Sequence, residues 1–212
     1  MNKDKADQII ALLETTYGGT KCGLDFGTPY ELLTATILSA QCTDIRVNIV
    51  TKELFPLADT PGEMLALGRE KLEDIIRPCG LSKTKSANII KTAQMLLDQY
   101  HGEVPADFDA LTSLAGVGRK TANVVLSNAF GEDAIAVDTH VQRVSNRIGL
   151  AHSEHVEKTE EMLKAIIDKD KWSEAHHWLI WHGRNICSAR KPKCAACVLN
   201  ALCEYPNKTT DS

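Results

Sequence analysis

Four cysteines lie within 17 residues near the C-terminal end of this 212-residue chain, at the spacing Cys-x6-Cys-x2-Cys-x5-Cys: Cys187, Cys194, Cys197 and Cys203. Four thiolates can bind one zinc ion or a [4Fe–4S] cluster, since both accept four cysteine ligands. A zinc site more often has two Cys-x2-Cys pairs, and this segment has one. Disulfides are a third possibility, but the chain starts without an apolar signal region, which predicts a soluble intracellular protein with reduced thiols.

A second group of candidate residues follows the turn Gly116-Val117-Gly118. Glycine permits positive φ angles and leaves the backbone N–H groups of a turn open to a ligand. Arg119 and Lys120 come next, at the predicted N-terminus of a helix, where anions bind favourably. The pattern predicts a helix-hairpin-helix that binds a phosphate backbone. The alternative is that the two glycines only connect the two helices of a hairpin.

The charge distribution points to nucleic acid although the net charge is −4. Four windows, 81–97, 111–131, 139–153 and 175–203, hold 82 residues with 11 Lys and Arg and no Asp or Glu. All 28 acidic residues lie in the rest of the chain. We therefore predict a basic face on an acidic body, which is a surface suited to DNA.

These residues must be positioned by helices. Apolar residues recur at helical spacing along most of the chain. Capping residues and prolines mark helix starts, as at Thr28-Pro29 and Thr60-Pro61, and one expected helix runs from Ser153 to Ile167. About ten helices are expected, with short loops between them. The only strand-like run, 134–137, is too short to build a sheet. The predicted class is all-α, and no apolar run approaches the roughly 20 residues that a membrane span needs.

The phrases Leu114–Asn123 and Val137–Val141 resemble the endonuclease III family of base-excision DNA glycosylases, whose hairpin lysine and downstream aspartate form the catalytic pair. The resemblance thus assigns catalysis to Lys120 and Asp138. An amine that attacks the sugar C1′ gives a Schiff base, which allows β-elimination. A free lysine has a pKa of about 10.4, so we expect partial burial and the helix N-terminus to favour its neutral form. One departure is Ala115, where the family usually has proline, and it should loosen the hairpin slightly.

The nearest alternative for Asp138 is an N-cap of the helix that begins at Thr139, a role compatible with catalysis. For Lys120 the alternative is a simple ion pair with phosphate. A damaged base must leave the duplex before attack at C1′, and the resemblance makes Gln41 and Leu81 the residues that fill the resulting gap. Leu81 could instead be a hydrophobic staple beside Ser82. His140 is expected beside the active site, in contact with either a base or a phosphate.

The same resemblance identifies the cysteine spacing as that of an iron–sulfur loop, and it implies one [4Fe–4S] cluster. Three cations lie between the first two cysteines, and we expect them to contact phosphates: Arg190, Lys191 and Lys193. The further DNA contacts implied are those of the hairpin: Gly116, Val117, Gly118 and Arg119. Cys22, Cys42 and Cys79 remain as free thiols, with Cys42 possible near DNA. His176, His177 and His182 are interpreted as packing or surface residues.

The resemblance also implies the domain organisation. Residues 22–132 are expected to form a six-helix barrel-like domain with the hairpin, and residues 1–21 with 133–212 an iron–sulfur domain, the active site lying in the cleft between the lobes. The predicted function is a monomeric, cytoplasmic glycosylase and AP lyase that removes oxidised pyrimidines from duplex DNA. An adenine glycosylase is less consistent with Lys120 and with a chain that ends nine residues after Cys203. The other class of function is a non-catalytic DNA-binding module.

Overall fold

The structure, a computed structural model, describes residues 2–209. Their regular structure is helical, with eleven α-helices, two short 3₁₀ turns and no strand among the described residues. The all-α prediction is confirmed. The chain divides into two compact units. We call Cys22–Glu132 the middle unit, and Met1–Lys21 together with Asp133–Ser212 the terminal unit.

The middle unit is built around α6, which packs against α4 and α5 and also contacts α2. Helix α8 packs against α2 and α7. The buried stripe of α6 carries Ile89, Ala93 and Leu96 on one face, at the spacing expected for an amphipathic helix. The helices of the middle unit are α2 (Pro29–Leu38), α3 (Asp44–Leu54), α4 (Pro61–Leu67), α5 (Arg69–Ile76), α6 (Ser82–Tyr100), α7 (Phe108–Ser113) and α8 (Arg119–Ala129).

The terminal unit combines one helix from the start of the chain with three from its end. Helix α11 packs against α9 and α1, and α10 packs against α9. Trp178 lies in its hydrophobic core with apolar side chains from all four helices. The helices are α1 (Lys3–Tyr17), α9 (Thr139–Ile148), α10 (Val156–Ile166) and α11 (Trp172–Asn185).

Helix starts follow the capping residues of the sequence. The side chain of Thr28 accepts a hydrogen bond from the Glu31 N–H at the start of α2, directly before a first-turn proline. At α4, Thr60 Oγ1 accepts from the Glu63 N–H at 3.3 Å, while the Glu63 carboxylate accepts from the Asp59 N–H at 3.2 Å. These bonds satisfy backbone donors that an α-helix leaves unpaired at its first turn.

The run 134–137 is extended and is not paired as a strand within the described part of the chain, as expected for so short a run. One local expectation differs from the structure. Helix α10 starts at Val156 rather than near Ser153, because Ser153 makes a turn. Its Oγ accepts from the His155 N–H at 3.0 Å, and its own N–H donates to Asn146 Oδ1 at 2.7 Å. Among residues 2–209, no helix is long and apolar enough to cross a membrane.

Candidate functional site

The predicted hairpin is present between α7 and α8. Gly116 has a φ of +76°, which favours glycine, and a Cβ there would lie 2.7 Å from Asn88 Nδ2. Gly118 is the N-cap of α8 without a side-chain cap, and a Cβ there would meet nothing within 4 Å. Val117 between them is buried. The turn therefore leaves the first-turn N–H groups of an 11-residue helix open on one side, a geometry suited to an anion.

The hairpin turn is held from behind by α6. Thr92 Oγ1 donates to the Ala115 carbonyl at 2.8 Å, and Thr92 is buried. This bond fixes the backbone at the position where proline is usual in the resembled family. Asn88 lies against Gly116 one turn earlier on the same helix.

Lys120 is in the first turn of α8 and its side chain is exposed. The expected partial burial of Lys120 is therefore not seen in the structure, where the side chain is exposed. The N-terminal end of α8 remains as a local electrostatic influence on the ammonium. Arg119 beside it lies over the Phe108 ring, with its Cζ 4.8 Å from the ring centroid. This contact orients the guanidinium on the surface.

Asp138 is the N-cap of α9. Its Oδ1 accepts hydrogen bonds from the His140 and Val141 N–H groups, each at 2.8 Å. The capping role is present in the structure, and the second carboxylate oxygen receives neither of these bonds. His140 is half-buried, and burial lowers its pKa below that of a free histidine. Asp138 belongs to the terminal unit and Lys120 to the middle unit.

Two loops of the middle unit share an unusual backbone conformation. We call residues 39–43 the Gln41 loop and residues 79–81 the Leu81 loop. Gln41 has a φ of +54° and Leu81 a φ of +51°, and both side chains are exposed, Leu81 to 54%. The left-handed region costs an L-residue about 1–2 kcal/mol. Leu81 is itself the N-cap of α6, whereas a hydrophobic staple is formed by the residue before the N-cap, so the staple alternative does not fit the structure.

The three cysteines outside the C-terminal group form no disulfide within the described part of the chain. Cys42 is half-buried in the Gln41 loop, and Cys79 is buried in the Leu81 loop. Burial, with a smaller contribution from the neighbouring Cys42 thiol, raises the pKa of Cys79 to about 11. Cys79 is therefore held as an unreactive thiol at neutral pH.

The four C-terminal cysteines line one pocket, which is partly open to solvent. Three of their sulfur atoms each lie 3.5 Å from a nitrogen atom. The pairs are Cys187 Sγ with Arg147 Nη1, Cys197 Sγ with His182 Nε2, and Cys203 Sγ with the backbone nitrogen of Tyr205. Nitrogen donors around sulfur favour thiolates and their complexes with metal. The chemistry of this pocket therefore fits a thiolate-bound metal group.

Two arginines that the sequence pattern did not identify hold residues 187–203, which we call the cysteine loop. Arg143 Nε donates to the Cys187 carbonyl at 3.1 Å and its Nη2 to the Gly183 carbonyl at 2.9 Å. Arg147 donates to the Ser188 and Ala189 carbonyls at 2.7 and 2.9 Å. Their spacing of four residues on α9 places them on one face, which was the available signal.

His182 fits the packing interpretation by its burial, but its ring also makes polar contacts that the sequence did not indicate. It is 1% exposed and, besides Cys197, contacts the hydroxyl of Tyr17 through Nδ1 at 3.0 Å. Burial lowers its pKa to about 4. His176 fits the packing interpretation, because it is buried and its Nδ1 lies 2.6 Å from the Ala136 carbonyl oxygen.

The structure refines the charge pattern. Arg190, Lys191 and Lys193 are exposed, as a phosphate-binding segment requires. Three other cations in the windows without Asp or Glu are engaged within the protein or buried, so they are less available to DNA. Arg143 and Arg147 bind the cysteine loop, and Lys85 is buried at 3% exposure.

Comparisons with known proteins agree with this geometry. Residues 34–169 match the HhH-GPD superfamily base excision DNA repair protein family, and residues 187–203 match the iron-sulfur binding domain of endonuclease III. Endonuclease III of Escherichia coli (strain K12) is 49% identical over 208 residues, 98% of this chain and 99% of that protein. Endonuclease III of Haemophilus influenzae (strain ATCC 51907 / DSM 11121 / KW20 / Rd) is 48% identical over 98% of this chain and 99% of its own length.

Among solved structures, a trapped endonuclease III–DNA covalent intermediate superimposes with a TM-score of 0.92 at 47% identity, covering 96% of each chain. The match to the iron-sulfur binding domain covers all four C-terminal cysteines. The predicted iron–sulfur cofactor is confirmed by this match.

Proposed function

Since this chain belongs to the endonuclease III family of HhH-GPD base excision DNA repair proteins, we propose that it removes oxidised pyrimidines from duplex DNA with Lys120 as its nucleophile. It is a DNA glycosylase and AP lyase that binds DNA and carries an iron–sulfur cluster. The observation that carries the proposal is the open hairpin turn, which places an exposed lysine one residue from the start of α8.

The reaction begins when the neutral Lys120 Nζ attacks C1′ of the damaged nucleotide. A C–N bond forms at C1′, the bond to the base breaks, and the base leaves with a proton. Opening of the sugar ring gives a Schiff base between C1′ and Nζ. Loss of a C2′ proton then breaks the C3′–O bond and cuts the strand, and water releases the lysine.

We assign Asp138 the task of accepting a proton from the lysine or stabilising the positive charge that develops on the sugar. The two backbone bonds at Oδ1 fix the carboxylate without neutralising it. His140 and the hairpin residues Gly116, Val117, Gly118 and Arg119 are proposed to contact DNA. Gln41 and Leu81 are proposed to enter the duplex where the damaged nucleotide leaves, which is consistent with their exposure and constrained backbones.

The proposed cluster ligands are Cys187, Cys194, Cys197 and Cys203. When bound, the [4Fe–4S] group supplies four iron–thiolate bonds that hold the loop together. Arg190, Lys191 and Lys193, which project from this loop, are proposed to contact phosphates. We also propose that the protein acts as a monomer, in the cytoplasm, on duplexes with damaged pyrimidines or abasic sites.

Lys120→Gln tests the mechanism. The variant should give no covalent product when borohydride is added with abasic duplex, because an amide cannot form a Schiff base. Its affinity for a duplex with a tetrahydrofuran abasic analogue should stay within a few-fold of wild type. Lys71→Gln, which changes an exposed lysine on α5, is the control and should still be trapped. Trapping of Lys120→Gln at the wild-type rate would show that another amine is the nucleophile.

The substrate class needs a separate comparison. Wild-type protein should release an oxidised pyrimidine from duplex DNA faster than it releases adenine opposite an oxidised guanine. The reverse order would favour the adenine glycosylase. Failure to cleave either duplex or an abasic site would favour the non-catalytic binding module.

A further inference from the structure

The Gln41 loop and the Leu81 loop are separate in sequence but meet at one buried side chain. Lys85, on the first turn of α6, has its Nζ 2.8 Å from the Leu38 carbonyl oxygen and 2.8 Å from the Cys79 carbonyl oxygen. Leu38 is the last residue of α2, immediately before the Gln41 loop, and Cys79 begins the Leu81 loop. One ammonium group therefore binds the last carbonyl before the Gln41 loop and the first carbonyl of the Leu81 loop.

A lysine in this position is unexpected on general grounds. Lysine is almost never fully buried without a partner, and here the side chain is 3% exposed. Burial lowers its pKa below that of a free lysine, so the site is costly for the cation. The two carbonyl bonds are charge-assisted, which is the stronger class of hydrogen bond. The titratable groups of the described structure that influence Lys85 are the thiols of Cys42 and Cys79.

The same face of α6 continues to the hairpin. Asn88 and Thr92 lie three and seven residues after Lys85, which is one helical stripe. Asn88 contacts the Gly116 position, and Thr92 donates to the Ala115 carbonyl. The polar stripe Lys85, Asn88 and Thr92 thus contacts the hairpin turn, the Leu81 loop and the residue that immediately precedes the Gln41 loop.

We propose that Lys85 is a positioning residue for nucleotide extrusion, because it fixes the Gln41 loop and the Leu81 loop to each other and to the helix that supports the hairpin. The inference rests on the proposed role of Gln41 and Leu81. Left-handed backbones persist where the surrounding structure determines them strongly. Lys85 supplies that constraint at both loops, so both side chains are presented to the duplex at once.

Lys85→Met tests the proposal, since methionine keeps much of the apolar stem and removes every donor. Lys71→Met is the matched control, an exposed lysine of the same unit. The assays use full-length, cluster-loaded protein. They measure affinity for undamaged duplex, the single-turnover rate of base removal at saturating DNA, and the fluorescence of 2-aminopurine placed beside the lesion as a signal of extrusion.

We expect Lys85→Met to keep its affinity for undamaged duplex within about 2-fold, to lower the single-turnover rate at least 10-fold, and to lose most of the extrusion signal. Leu81→Ala should reduce the same signal, and the double variant should lose little more, because both act on one step. A lower melting temperature with unchanged rate and extrusion signal would make Lys85 structural only and overturn the proposal.

Two further results separate this inference from the proposal it rests on. If Leu81→Ala leaves extrusion unchanged, the role of Leu81 itself is wrong. If Leu81→Ala abolishes the signal and Lys85→Met does not, only the role of Lys85 is wrong. If Lys85→Met is unfolded at the assay temperature, wild type and Lys85→Met are both measured at a lower temperature at which the variant is folded, with the same criteria. A wild-type extrusion signal in Lys85→Met at that temperature, with both loops equally protected from hydrogen exchange, also contradicts the proposal.

Discussion

The middle unit and the terminal unit hold their candidate functional residues by different means. In the middle unit, short loops are fixed between helices by side chains of α6 that bind backbone carbonyls. In the terminal unit, the segment after α11 contains no α-helix through residue 209, and arginines of α9 bind its first residues. The middle unit can therefore keep its geometry without a cofactor, whereas the cysteine loop depends on the bonds its thiolates make.

The largest expected effect is that of removing one cluster ligand. Cys197→Ser should lose the brown colour of an iron–sulfur protein, because serine is a poor replacement for a thiolate ligand. Its iron content and its acid-labile sulfide content should both fall relative to wild type. Hydrogen exchange should become fast in residues 186–209 and remain slow in α6 and α8. Cys22→Ser is the control, since Cys22 lies in the other unit and outside the cysteine loop. Equal loss of protection in α6 would contradict the independence of the units. Stoichiometric zinc without iron in the wild type would overturn the cluster.

A smaller effect is expected from replacing the hairpin glycines by alanine, and the size of the effect should differ between Gly116 and Gly118. Gly116→Ala should lower the free energy of unfolding by about 1–3 kcal/mol, because φ is positive and the new Cβ meets Asn88. Gly118→Ala should change it by less than about 0.5 kcal/mol, since the space is open. Its methyl group should instead weaken binding to duplex DNA. Urea unfolding and a binding titration of both variants check this, and equal stability losses would show that the turn geometry is wrong.

Local interactions could be predicted from the sequence, whereas contacts between distant segments could not. Helix starts at Thr28 and Thr60 were readable because capping is a local interaction. The hairpin and the N-cap at Asp138 were readable for the same reason. The exposure of Lys120 was not, because burial depends on which segments pack around a residue. Neither were the bonds from Arg143 to residues about 40 positions away.

Lys85 shows an intermediate case. A cation on the buried stripe of an amphipathic helix is a local anomaly, and it lies between Leu81 and Ile89 in the sequence. Its partners, however, are backbone carbonyls, one of them 47 residues away, and carbonyls carry no sequence signal. The sequence could have marked the residue as unusual but could not have named what it binds.

The smallest expected effect concerns the exposed cations of the cysteine loop. Lys191→Glu should reduce the slope of log affinity against log salt concentration by about 1 for each phosphate that the protein no longer neutralises. It should leave the single-turnover rate at saturating DNA nearly unchanged. Lys158→Glu, which makes the same charge change at an exposed position on α10, should leave the slope at its wild-type value. An unchanged slope for Lys191→Glu would remove that lysine from the DNA-binding surface.

The central claim, that Lys120 is the amine that bonds to the sugar, is tested most directly by locating the bond. Wild-type protein is reduced with borohydride while it acts on an abasic duplex, the adduct is digested with protease and nuclease, and the modified peptide is identified by mass spectrometry. We predict that the sugar remnant is on the side chain of Lys120, at the start of α8. A remnant on the N-terminal amine or on another lysine would contradict this assignment.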